Sequence, residues 1–144
     1  MNKVYIIFDC SGSMAESGHN AVLKSAFLAV RRSFPRILMY IWNEELRSIE
    51  KAKEIVAKGK ANAEVLFHFL ENLEEHPAIL LVSDGCWSAK DAEKISLATA
   101  KYDVYSCAVG QETNLANLKK AQTIGKKPFR MVDFPTVIEY LLRK

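Results

Sequence analysis

No apolar run in this chain of 144 residues reaches the roughly 18 to 20 residues that cross a bilayer. No small-residue cleavage site follows the N-terminal apolar run, so neither a membrane span nor a secretion signal is read. Cysteine is scarce. Cys10, Cys86 and Cys107 are an odd number without C-x-x-C spacing, which argues against a disulfide framework and predicts core or near-core free thiols in a reducing compartment, the cytoplasm. Histidine is equally thin: His19, His68 and His76 stand apart, none at ligand or triad spacing, and surface or helix-end positions account for them. There are no internal repeats, low-complexity tracts or linkers. Charge of one sign is also lacking, with a net +3. Lys119, Lys120, Lys126, Lys127 and Arg130 gather late but alternate with apolar residues as solvated faces do, so no nucleic-acid partner is expected.

What is present is a core. With 49% hydrophobic residues the chain fits one domain over residues 1–144. Strands are expected at about Lys3 to Asp9, Arg36 to Asn43, Ala78 to Val82, Val104 to Val109 and Phe129 to Val132. A short edge strand at Leu46 to Ile49 is preferred over one amphipathic helix there. Helical spacing of apolar residues predicts helices at about Asn20 to Phe34, Asn62 to Glu75, Ala89 to Ala100 and Asn114 to Gln122, and after Pro135. Buried strands alternating with amphipathic helices predict an α/β fold: a doubly wound, mostly parallel sheet of about six strands, with helices on both faces and one antiparallel edge strand.

The most informative stretch joins the first strand to Asp9-Cys10-Ser11-Gly12-Ser13-Met14. Residues two apart in extended chain share a side, so Asp9, Ser11 and Ser13 can direct oxygens at one point once the backbone curls at Gly12. A second acid, Asp84, closes the apolar run Ala78 to Ser83. Open α/β sheets bind ligands beyond the carboxyl ends of their strands, where strand order reverses. If the two strands are neighbours, two carboxylates and two hydroxyls meet in one crevice. Such an all-oxygen set suits Mg2+ or Mn2+ and not zinc, whose usual thiolate and imidazole ligands are missing from it. The competing reading is a turn whose aspartate and serines bond their own backbone.

With D-x-S-x-S at Asp9, Ser11 and Ser13 and the distant Ser83-Asp84-Gly85 at a strand end, the chain resembles the von Willebrand factor type A (VWA) family and its metal-ion-dependent adhesion site. The resemblance covers residues 3 to 143. It implies a cation held by Ser11 and Ser13, with Asp9 and Asp84 acting through water, and an acidic residue of a protein partner completing the shell. It implies binding and not catalysis, in a small stand-alone intracellular adaptor; such members are often companions of MoxR-type AAA+ ATPases or of stress and defence systems. One element departs. The family's threonine loop falls where this chain reads Gly59-Lys60-Ala61-Asn62-Ala63, with Ala61 at the threonine position, so the adhesion site is degenerate. Asn62 offers a side-chain oxygen in its place or, as preferred here, caps the next helix.

Gly12, Met14, Gly85 and Trp87 flank the ligand residues and are candidates for a partner-gripping rim, against the alternative that Met14 and Trp87 simply pack. Three rival functions are weaker. An aspartate-nucleophile phosphatase expects D-x-D, and position 11 is serine. A serine hydrolase expects a G-x-S-x-G elbow, which is absent. A phosphate-loop cysteine needs an arginine six residues on, where Glu16, Ala92 and Thr113 stand. A metal-independent interaction domain of the same fold stays open.

Overall fold

The computed structural model describes residues 3–16, 18–110 and 113–144. Its sheet has six strands: β1 (Val4–Asp9), β2 (Leu38–Trp42), β3 (Leu46–Ser48), β4 (Ala78–Ser83), β5 (Val104–Ala108) and β6 (Phe129–Arg130). Their order is β3-β2-β1-β4-β5-β6. All neighbours run parallel except β2 and β3. The five α-helices are α1 (His19–Ser33), α2 (Ala63–Glu71), α3 (Ala89–Thr99), α4 (Leu115–Ala121) and α5 (Phe134–Arg143). This is the α/β architecture expected from the alternation of patterns, including the antiparallel edge.

Side-chain alternation along the central strands divides the core. Ile6 and Phe8 of β1 and Leu80 and Val82 of β4 face α1 and α5, meeting Leu23, Phe27, Val30, Ile138 and Leu141. Ile7, Ile79 and Leu81 face the other way, toward Leu66 and Leu70 of α2, Ile95 of α3 and Leu118 of α4. Both faces of β1 are therefore dry, which is why it reads as a continuous apolar run. Ile6, Ile7 and Phe8 are wholly buried, each such side chain stabilising the fold by about 1.5–3 kcal/mol relative to exposure.

Several expected boundaries move for identifiable reasons. Helix α2 ends at Glu71 instead of Glu75: Asn72 leaves the helical dihedrals at φ −90°, ψ 2° as the C-cap, and its side-chain nitrogen bonds the His68 carbonyl. The last strand pairs only through Phe129 and Arg130, and Met131–Asp133 tightens into a 3-10 turn that leads into α5 with Pro135 in its first turn. The chain leaves β1 for β2 on one side and enters β4 on the other, so strand order reverses between β1 and β4. Register sets Phe8 beside Val82, which brings the carboxyl ends of these strands, and hence Asp9 and Asp84, to one crevice.

Candidate functional site

Asp9 ends β1 fully buried and is saturated with donors. Its Oδ1 accepts the Ser11 backbone N–H at 2.8 Å. Its Oδ2 accepts the Ser83 hydroxyl at 2.6 Å and the Trp87 indole N–H at 3.0 Å. Burial pushes the Asp9 carboxyl above the ordinary carboxylate range, and the hydrogen bonds from Ser11, Ser83 and Trp87 pull it back.

Asp84 is arranged differently. Its Oδ1 accepts the Ser13 hydroxyl at 3.2 Å and the Cys86 backbone N–H at 2.9 Å. Its Oδ2 lies 3.5 Å from His19 Nδ1, beyond ordinary hydrogen-bond length. Both of those atoms are buried without a hydrogen-bond partner. A buried carboxylate oxygen left this way costs about 1–3 kcal/mol or more, so the position is built for something other than water-free isolation. Ser13 is half-buried beside this carboxylate, and Ser11 is buried beside Asp9.

The loop before α2 does reach the site. The Gly12 N–H donates to the Gly59 carbonyl at 2.8 Å, and the Lys58 N–H to the Cys10 carbonyl at 2.9 Å. No hydroxyl is present in that loop; Ala61 is buried in the core. Asn62 caps α2, its side chain accepting the Val65 N–H at 3.1 Å, and its carbonyl receives the Trp42 indole N–H at 2.9 Å. The side-chain oxygen that would have replaced threonine is thus committed to the helix.

Of the rim candidates, Met14 and Trp87 take the packing alternative. Met14 is completely buried in the core, and Trp87 is 8% exposed, packed edge-on against Trp42 with ring centroids 6.0 Å apart. Gly85 is covered by the segment before α4, where a Cβ would stand 2.5 Å from the Asn114 carbonyl. Gly12 alone of the four is exposed. Of the cysteines, Cys10 and Cys107 are buried, as expected, but Cys86 is exposed beside the crevice. Burial raises Cys10 and Cys107 to about 12 and Cys86 to about 11, so none is a ready nucleophile.

Two contributors escaped the sequence reading. Ser83 was seen only as the residue before Asp84, although its register beside Asp9 follows from two adjacent parallel strand ends. His19 stands at the start of α1, one of the helix-end positions expected, but it is only 6% exposed. Its ring is held between Asp84 and Gly110, whose positive φ of 84° and missing Cβ leave the ring its space.

Among the described residues no group of three or more His, Cys, Asp or Glu side chains converges for a metal, so a cation here needs the serine hydroxyls. The unpartnered Asp84 oxygen and the Ser13 hydroxyl that touches the same carboxylate fit a divalent ion. Asp9, whose oxygens accept bonds from Ser11, Ser83 and Trp87, fits a role of balancing the ion's charge from behind these ligands.

No protein-family model matches the chain, and no curated protein matches it. Solved structures do. BatB from Bacteroides thetaiotaomicron superposes with a TM-score of 0.67 at 13% identity, covering 100% of both chains. An aerotolerance-related membrane protein from Bacteroides fragilis gives 0.63 at 12% identity, over 99% of this chain and 98% of that one. Proximal thread matrix protein 1 of the mussel byssus, solved with a zinc-occupied MIDAS motif, gives 0.61 at 13% identity over 99% of this chain and 47% of its own. The fold is VWA-like. Identities this low establish architecture alone. Among the described residues no helix is long and apolar enough to cross a membrane.

Proposed function

We propose that this VWA-like chain is a metal-ion-assisted protein-interaction module, with binding and not turnover as its activity. The observation that carries the reading is the meeting of Ser13 and Asp84 across 71 residues at 3.2 Å, with the other Asp84 oxygen buried and unpartnered at the strand-order reversal. Ser11 and Ser13 hold the ion, and Asp84 and Asp9 balance its charge, Asp9 remaining tied to Ser83 and Trp87. A bound Mg2+ or Mn2+ supplies an open, electron-poor position that an acidic residue of a protein partner fills. The degenerate threonine loop leaves one more position to water.

The partner is a protein presenting an acidic side chain at the exposed Gly12 turn, in a cytoplasmic multi-protein system; a MoxR-type AAA+ ATPase or stress and defence proteins are the candidates the family resemblance offers. Co-purification from the native host tests this. Capture that falls with chelator and with Asp84→Ala supports the reading, and capture indifferent to both contradicts it.

A metal-independent interaction domain is the second reading. It is favoured by the saturation of Asp9 and the absence of a threonine hydroxyl, and it predicts chelator-insensitive capture. The aspartate-nucleophile phosphatase is disfavoured because an Asp9 oxygen accepting two protein hydrogen bonds is poorly placed to attack; turnover abolished by Asp9→Asn would revive it.

A further inference from the structure

We propose that His19 is itself a ligand of the cation at this site, so that the site prefers divalent ions that accept an imidazole nitrogen, Mn2+, Co2+ or Zn2+, over Mg2+. The inference rests on the metal reading above and specifies which ion class the site takes. Its basis is a pair of buried atoms, His19 Nδ1 and Asp84 Oδ2, 3.5 Å apart, each without a hydrogen-bond partner. Their residues are 6% and 1% exposed. Two donors held about 2.1 Å from one tetrahedral zinc ion stand about 3.4 Å apart, so this separation suits a shared ion better than a direct hydrogen bond.

The ring is also built into place. The backbone fixes it as the first residue of α1, after Gly18 in the left-handed conformation at φ 75°. On the far side, Gly110 leaves room that any Cβ would fill. A packed imidazole with one nitrogen turned on an unpartnered carboxylate oxygen adds a nitrogen donor to what the sequence presented as an oxygen-only set. Imidazole suits zinc, cobalt and other transition ions, whereas magnesium favours oxygen and water. The ligands named are thus Asp84 and His19, with Ser13 touching the same carboxylate.

The test is a set of calorimetric titrations of the full chain with Mg2+, Mn2+, Co2+ and Zn2+, in wild type, His19→Ala, Asp84→Ala and Cys86→Ser. The last variant controls for the exposed thiol near the crevice. The expected result is that His19→Ala weakens Zn2+ and Co2+ by about tenfold or more, at least what loss of a supporting group costs, while Mg2+ changes little; Asp84→Ala weakens all four ions. If His19→Ala does not fold, nitrogen NMR of wild type during Zn2+ titration replaces it, with a shift at His19 Nδ1 and none at His68 or His76. Zinc affinity that is unchanged in His19→Ala, a silent His19 nitrogen, or zinc binding lost only in Cys86→Ser overturns the role of His19 and leaves the metal reading standing. No binding of any ion by wild type overturns both.

Discussion

The indole N–H of Trp87 donates to Asp9 Oδ2 at 3.0 Å across 78 residues. Trp42, against which that indole packs, donates in turn to the Asn62 carbonyl at the head of α2. The two tryptophans thus tie Asp9 to the loop that leads into α2.

Replacing Trp87 with Phe keeps most of the ring and removes the N–H from a buried carboxylate. Hydrogen bonds to charged groups contribute about 1.5–3 kcal/mol, so Trp87→Phe is expected to lower unfolding free energy by about that amount. Urea denaturation checks it. A loss within experimental error would mean that Asp9 is adequately held by Ser11 and Ser83 alone.

Gly110→Ala combines two penalties. Its φ of 84° disfavours any side chain, at a cost of about 1–3 kcal/mol, and the added Cβ overlaps the His19 ring. The variant is expected to melt lower than wild type and to shift the His19 ring resonances in an NMR spectrum; unchanged His19 signals would show that the ring is not packed against this loop.

Thiol accessibility separates the cysteines. Cys86 is exposed while Cys10 and Cys107 are buried, so labelling of the native chain by a thiol reagent should reach Cys86 only, and slowly, since its thiol is raised to about 11. All three should react in denaturant. Rapid native labelling of Cys10 would mean that the turn beneath Ser11 opens readily.

Glu54 gives a pH dependence of definite sign. Its carboxylate accepts the backbone N–H groups of Glu50 and Lys51 and pairs with Arg47 at 2.9 Å. Those hydrogen bonds lower it from the ordinary 4.5 to about 2. A depressed acid stabilises the fold fully above its unfolded value and loses that contribution as pH falls through the folded one. The stability gap between wild type and Glu54→Gln should therefore be largest above pH 4.5 and close toward pH 2. A gap that widens on acidification would contradict the assignment.

The fold was legible because its signals are local. Continuous apolar runs at Val4–Asp9 and Ala78–Ser83, separated by helices with one apolar face, specify buried parallel strands with little ambiguity. That Asp9 and Asp84 lie at the same end of the sheet could be anticipated because both close apolar strands, and those strands are neighbours. What the sequence concealed is depth and cross-chain contact. Trp87 is placed on a loop by its neighbours, yet its indole finds Asp9. His19 appears isolated in one dimension because its carboxylate partner is 65 residues away (84 minus 19), and no helical or strand periodicity links positions that only a crevice brings together.

The most direct test of the account is a calorimetric titration of wild type and Asp84→Ala with Mn2+, the ion acceptable to the oxygen ligands and to His19 alike. The account predicts saturable binding at one ion per wild-type chain and loss of that binding in Asp84→Ala. Equal binding by the two proteins, or none by wild type, would contradict it.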